Sequence, residues 1–225
     1  MKNKFFIIIY LYNNKMENFL DKCYVQELIK FDPTKETSSF GEIIIVAIAS
    51  VMLNNMIYNV GMKYFMSGEK TKQLDEEYNT ENQNIAEKQI DPFVFAVSEL
   101  LNSGLYAPLV EELFFRFLLL KVILVKMLDL DVHKANIIHA VIFGALHMTN
   151  VVVSEQQLNR TIMQSIMAGF GGLINGYTYI YTNSIFTPLI AHMINNMLAA
   201  GTQVIDYATT YNKIVETFRI HFDSV

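Results

Sequence analysis

The sequence predicts an all-α protein, a polytopic membrane helix bundle with five or six transmembrane helices. Of its 225 residues, 52% are hydrophobic and 17% are charged, whereas an average soluble domain carries about 25% charged residues. No Asp, Glu, Lys or Arg occurs from Thr161 to Ile205. A helix of that length would reach roughly 70 Å at about 1.5 Å per residue, which is about two crossings of the hydrocarbon core.

The composition also excludes other classes of protein. The 16 Phe and 12 Tyr residues argue against disorder, and the single cysteine, Cys23, excludes a disulfide scaffold. The 17 basic residues are outnumbered by 22 acidic ones and form no basic run, so no nucleic-acid partner is expected. Membrane lipid is the expected surrounding of the chain.

Residues 1–40 are predicted to form a cytosolic or interfacial segment. Six lysines precede the first convincing span, which puts the N-terminus in the cytosol by the positive-inside rule. Apolar residues from Met16 to Phe31 recur at helical spacing, which indicates an amphipathic helix in the membrane interface. Pro33 ends it, because the residue before a proline avoids the helical conformation.

The first transmembrane helix is predicted at 41–66, around an uncharged stretch from Ile43 to Met62. A polar loop with seven acids and three lysines follows at 67–91. The next apolar block, 92–128, is too long for one plain span. We expect two helices in it, with a break near Pro108.

The rest of the chain is predicted to contain three further spans and a short tail. A break is expected at Thr182-Asn183-Ser184, with Pro188 in the first turn of the last helix. Ala168, Gly172 and Gly176 form a seam of small residues that favours close helix packing. The predicted spans are 135–153, 161–181 and 184–205, and the C-terminal tail is 206–225.

Two adjacent carboxylates, Glu111 and Glu112, lie inside an apolar block. A carboxylate at the bilayer centre costs about 2.5–3.5 kcal/mol on insertion scales. Arg116 follows Glu112 by four residues, so the two can pair on one helix face. Glu111 points about 100° away, which leaves it without a local counter-charge and suited to proton exchange. The alternative is that both acids lie at a helix N-terminus at the membrane boundary and have no catalytic role.

Histidine and asparagine side chains occur in two later spans. His147 follows Phe143 by four residues, and His139 is a competing candidate two turns earlier. His192 and Asn196 are four residues apart in the last span and share a face. Each could be an ordinary core residue, but together they supply a base, an imidazole and hydrogen-bond donors on three helices. That set could activate a water and stabilise an oxyanion around a hydrated cavity.

The order Glu-Glu-x-x-x-Arg, Phe-x-x-x-His, His-x-x-x-Asn resembles the CPBP intramembrane endopeptidases. These include the type II CAAX prenyl proteases and the bacteriocin-processing and immunity proteins. The resemblance covers 92–205 and departs from the family at Phe117, where Gly is common. Its matching positions are Glu111, Glu112, Arg116, Phe143, His147, His192 and Asn196.

The resemblance implies a role for each of these residues. Glu111 with His147 would bind and deprotonate the attacking water, and His192 with Asn196 would hold the oxyanion. Glu112, Arg116 and Phe143 would be supporting residues. The substrate would be a peptide or a lipidated protein, cut near a membrane-embedded C-terminus.

The resemblance favours catalysis without a metal or other cofactor. Zinc remains an alternative, because Glu111, His147 and His192 make a His₂Glu set of the kind that catalytic zinc sites use. Two other functions stay open at this stage. One is a non-catalytic immunity or scaffold membrane protein, and the other is a proton-coupled transporter that uses Glu111 and the histidines as a relay.

Overall fold

The computed structural model describes residues 28–65, 90–153 and 158–223. Most of the predicted amphipathic helix and of the polar loop 67–91 lies outside these ranges. Within them the chain is all-α, without a strand, which confirms the predicted fold class. The five main helices are α1 (Phe40–Phe65), α2 (92–127), α3 (Val132–Leu146), α4 (Leu158–Thr182) and α5 (Phe186–Asp223).

The predicted break near Pro108 is wrong, because α2 runs through the proline without interruption. The helix is α-helical at Pro92–Glu99 and Ala107–Glu112, and it has wider π-type turns at Leu100–Tyr106 and Leu113–Met127. A wider turn places each N–H opposite a carbonyl five residues earlier. The missing N–H of proline is thus accommodated by a change in winding, and the acids of Ala107–Glu112 stay on the same helix.

Helices α3 and α4 pack at backbone distance along a line of glycines. A Cβ atom on Gly144 would lie 2.7 Å from the Ser165 carbonyl oxygen, and one on Gly172 would lie 2.9 Å from Phe143 Cδ1. A Cβ atom on Gly176 would collide with Asn136. The close packing predicted for the small-residue seam is therefore confirmed at Gly172 and Gly176.

The predicted break before the last helix is confirmed. Asn183 adopts a left-handed backbone conformation, φ 53°, and its side chain binds the backbone of the turn at 32–35. It accepts from the Asp32 N–H at 2.6 Å and donates to the Asp32 and Lys35 carbonyls at 2.8 and 3.0 Å. Pro188 lies in the first turn of α5, as predicted, and α5 continues beyond 205 to Asp223.

The bundle buries several polar and charged side chains while it exposes many large apolar ones. Its buried side chains include Glu112, Arg116, Lys121, Asn136 and His139. Two helices among the described residues are long and apolar enough to cross a membrane, Phe40–Gly61 and Val132–Val153, and only 22% and 28% of their apolar windows is buried. The core helix of a soluble protein would be mostly buried. Buried ionisable groups beneath an apolar surface are typical of a membrane bundle.

Candidate active site

The Glu112 side chain is buried and connects α2 to α5. Its side chain is 1% exposed, and Oε2 lies 2.9 Å from Nε of the fully buried Arg116. This predicted i, i+4 pair is confirmed by distance, although its N–H···O alignment falls short of a hydrogen bond. Oε1 accepts from His192 Nδ1 of α5 at 2.8 Å. Glu112 therefore fixes both the arginine of its own helix and the imidazole of another.

Glu111 occupies a more open position beside the same imidazole. Its side chain is 30% exposed, and its Oε2 lies 3.7 Å from His192 Nε2. The two ring nitrogens of His192 thus face two different carboxylates. The sequence predicted Glu111 without a local counter-charge on its own helix, and the group opposite it comes instead from α5.

His147 is held at the end of α3 by its own helix. Its Nδ1 lies 2.9 Å from the Phe143 carbonyl oxygen. Because a carbonyl can only accept, Nδ1 carries the hydrogen and Nε2 is left as an acceptor. In the part of the chain that the structure describes, no hydrogen bond or ion pair joins His147 to Glu111.

The Phe143 ring lies among the polar groups of the site. Its centroid is 4.8 Å from that of the His147 ring and 6.1 Å from that of the His192 ring. The Arg116 guanidinium carbon lies 4.7 Å from the same centroid. The ring face partly compensates the buried cation, whose two Nη atoms have no hydrogen-bond partner among the described residues. The Phe143 ring therefore lies next to both imidazole rings and packs against the Arg116 guanidinium.

Asn196 is bound to α2 one turn beyond His192. Its Nδ2 donates to the Ser103 carbonyl oxygen at 2.8 Å. A primary amide has two N–H groups, so this contact uses one and leaves the other for a further acceptor.

Phe117, the departure from the family pattern, has its ring centroid 5.5 Å from Lys121 Nζ.

His139, the competing candidate, belongs to a structural network. It is fully buried, and its Nδ1 lies 3.3 Å from Asn136 Oδ1. Asn136 in turn donates from Nδ2 to the Leu173 carbonyl of α4 at 3.0 Å. Asn136 was not predicted from the sequence as part of this network, although it lies three residues before His139 and therefore on the same helix face.

The zinc alternative at Glu111, His147 and His192 stays a prediction. Over 28–65, 90–153 and 158–223, no group of three or more His, Cys, Asp and Glu side chains is placed to hold a metal ion. The Nδ1 atoms of both histidines are engaged by Phe143 and Glu112, which leaves their Nε2 atoms as the nitrogens that could bind a metal.

The site therefore holds a buried Glu-Arg pair, an imidazole hydrogen-bonded to a carboxylate and, beside that imidazole, a carboxyl side chain that is 30% exposed. Residues 93–198 match the family model described as type II CAAX prenyl endopeptidase Rce1-like. This match confirms the resemblance of the stretch to the CPBP endopeptidases.

The family is membrane-embedded and its members are proteases. The search of curated proteins and the search of solved structures each give no significant match.

Proposed function

We propose that the protein is an intramembrane glutamate-type endopeptidase. Its substrate would be a peptide or lipidated protein, cleaved near a membrane-embedded C-terminus such as a prenylated CAAX end. The observation that carries this proposal is the position of His192 between two carboxylates of unequal exposure. Glu112 is enclosed and holds the ring, whereas Glu111 is accessible and can exchange a proton with water.

The first step is the activation of a water molecule by Glu111 and His147. Glu111 takes one proton from the water, and the resulting hydroxide attacks the scissile carbonyl carbon. His147 can accept a hydrogen bond from the same water, because its Nδ1–H is bound to Phe143 and its Nε2 is the remaining acceptor. Formation of the C–O bond converts the carbonyl oxygen into an oxyanion.

His192 and Asn196 would stabilise that oxyanion. The second amide hydrogen of Asn196 is a donor that its contact with Ser103 leaves unused. His192 gives its Nδ1–H to Glu112, so donation from Nε2 requires a second proton on the ring. The Glu112 carboxylate compensates the charge of that imidazolium, since Glu111 is protonated at this stage. In this role Glu112 and Arg116 position the imidazole and do not touch the substrate.

The tetrahedral intermediate then collapses and the peptide bond breaks. The proton held by Glu111 passes to the leaving amine nitrogen, so that the products are a carboxylic acid and an amine. Glu111 returns to its ionised form, and no metal enters any step.

We further propose that the chain crosses the membrane several times with its N-terminus in the cytosol. The basis is the apolar surface of α1 and α3 together with the six N-terminal lysines. Cys23, the single cysteine, is a natural probe for this. A membrane-impermeant thiol reagent should label it in inverted vesicles and not in intact cells, and the opposite pattern would reverse the orientation.

The decisive experiment uses purified protein in proteoliposomes with a prenylated CAAX peptide and its unprenylated twin. Wild type should cleave the prenylated peptide, and Glu111→Gln should lower the rate by about 10²–10⁴, the usual contribution of a general base. Glu42→Gln, on α1, is the matched control and should cleave as wild type does. Removal of divalent ions with a chelator should leave the rate unchanged.

The other functions predict different results from the same preparation. A non-catalytic immunity or scaffold protein would show no cleavage, and its Glu111→Gln variant would keep full biological activity. A proton-coupled transporter would show flux into the vesicles without hydrolysis. Equal cleavage by wild type and Glu111→Gln would contradict the assigned role of Glu111.

A further inference from the structure

The Ser103 carbonyl that binds Asn196 has lost its usual donors within α2. In an α-helix, the N–H of residue 107 would donate to it. Here the Ala107 N–H donates to the Asn102 carbonyl, because the turn from Leu100 to Tyr106 is wider. In a wide turn the next available donor would be residue 108, and this residue is Pro108, which has no N–H.

The two local features together leave one carbonyl of the helix open. The wide turn moves one N–H away from Ser103, and the proline removes the other. The contact of this carbonyl with Asn196 is part-buried, and a carbonyl removed from water without a partner costs about 1–3 kcal/mol, so a donor from outside the helix stabilises it. The Asn196 amide supplies that donor at 2.8 Å, across the contact between α5 and α2.

We propose that Pro108 is a positioning residue for the Asn196 amide. It keeps the Ser103 carbonyl free of backbone donors, so that this carbonyl binds one amide hydrogen of Asn196 and orients the other toward the substrate. Pro108 itself contacts no reacting group. The proposal rests on the proposed function of Asn196 as an oxyanion donor, and it adds the part of the chain that orients this donor.

The proline has this effect because of where it stands in the winding of α2. Pro92 also lacks an N–H, but it begins the helix, where the first N–H groups have no intrahelical acceptor in any case. Replacing Pro92 therefore neither frees a backbone carbonyl nor gives one a new hydrogen-bond donor. Replacing Pro108 with Ala adds an N–H that can donate to Ser103 and displace Asn196, while alanine keeps the segment helical.

The first test needs no activity. Hydrogen exchange at the Asn196 side-chain amide, followed by NMR of the intact protein in detergent micelles, reports whether its contact with Ser103 persists. Wild type and Pro92→Ala should show the same protection, and Pro108→Ala should exchange at least about ten times faster, which is a loss of about 1.4 kcal/mol. Unchanged exchange in Pro108→Ala would overturn the proposal, whether or not the protein cleaves peptides.

The second test is a double-variant comparison in the cleavage assay. Pro108→Ala should lower kcat at least tenfold with little change in KM, within the roughly 10²–10³-fold loss that follows removal of an oxyanion donor. In the Asn196→Ala background the same replacement should change kcat less than about twofold, since coupled residues are not additive. Losses that multiply would show that Pro108 acts only through helix shape and would overturn the proposal.

Discussion

His192 Nδ1 donates to Glu112 Oε1 across 2.8 Å and thereby ties α5 to α2 over a separation of 80 residues. The same carboxylate pairs with Arg116 through its other oxygen. Neither contact involves Glu111, which lies beside the ring with a 30% exposed side chain. The two adjacent glutamates therefore differ in what they do, one holding the site together and the other facing its accessible side.

Glu112→Gln should destabilise the protein far more than Glu111→Gln does. The change leaves the Arg116 cation buried without its counter-ion, and breaking a buried pair costs about 3–5 kcal/mol. Glu111 has no pairing of that kind, so its replacement should cost less than about 1 kcal/mol. Unfolding in detergent micelles, followed by circular dichroism, measures both. The double variant Glu112→Gln/Arg116→Met should recover part of the loss, and equal losses in the two single variants would contradict the distinction.

Phe143→Leu should separate the packing role of this ring from its role at the site. Leucine fills much of the volume and should cost less than about 1.5 kcal/mol, whereas Phe143→Ala should cost about 3–5 kcal/mol. The aromatic ring makes T-shaped contacts with both imidazoles and has the Arg116 guanidinium over its face, and leucine offers neither interaction. The leucine variant should therefore remain folded but lose cleavage activity, as peptide assays and unfolding midpoints would show together. Full activity in Phe143→Leu would show that the ring contributes only packing and would contradict a role of its aromatic character at the site.

Short-range geometry made some of this arrangement predictable from the sequence. The Glu112–Arg116 pair follows from helical spacing alone, and the break at Thr182-Asn183-Ser184 follows from its position between two apolar runs. The partners of His192 could not be derived in this way, since they depend on how α5 packs against α2. The predicted break at Pro108 presupposes ordinary α-helical winding. The helix does not break there, because the turn before the proline is wider than an α-helical turn.

Gly144→Ala should destabilise the bundle, whereas Gly201→Ala should not. The added Cβ at position 144 would lie 2.7 Å from the Ser165 carbonyl oxygen and 3.0 Å from Gly169 Cα, so the backbones of α3 and α4 must separate. Nothing lies within 4 Å of the corresponding atom at position 201. There alanine should gain up to about 1 kcal/mol from helix propensity. Thermal unfolding of both variants tests the contrast, and equal shifts would mean that the α3–α4 contact is looser than its glycines indicate.

The helix cap at Asp131 should make the start of α3 sensitive to acid. Its carboxylate accepts from the backbone N–H groups of Lys134 and His133 at 3.2 and 3.1 Å. The hydrogen bond from Lys134 is the main reason that the pKa of Asp131 lies below its ordinary value. A carboxyl whose pKa is lowered by folding stabilises the folded state above its unfolded pKa of about 3.9, and that contribution disappears as the pH falls through the folded value.

Asp131→Asn is the matched variant for this effect, because asparagine is an equally good cap that does not titrate. Between about pH 5 and 7 the unfolding midpoints of wild type and Asp131→Asn should differ by a constant amount. This range lies above both the folded and the unfolded pKa of Asp131, so the wild-type carboxyl is ionised throughout. Below about pH 4 the wild-type midpoint should fall relative to that of the asparagine variant. Asp131→Ala should be less stable than both at neutral pH because its two N–H groups lose their acceptor. If the wild type and Asp131→Asn stayed parallel down to about pH 2, the carboxylate would not be the titrating element of this cap.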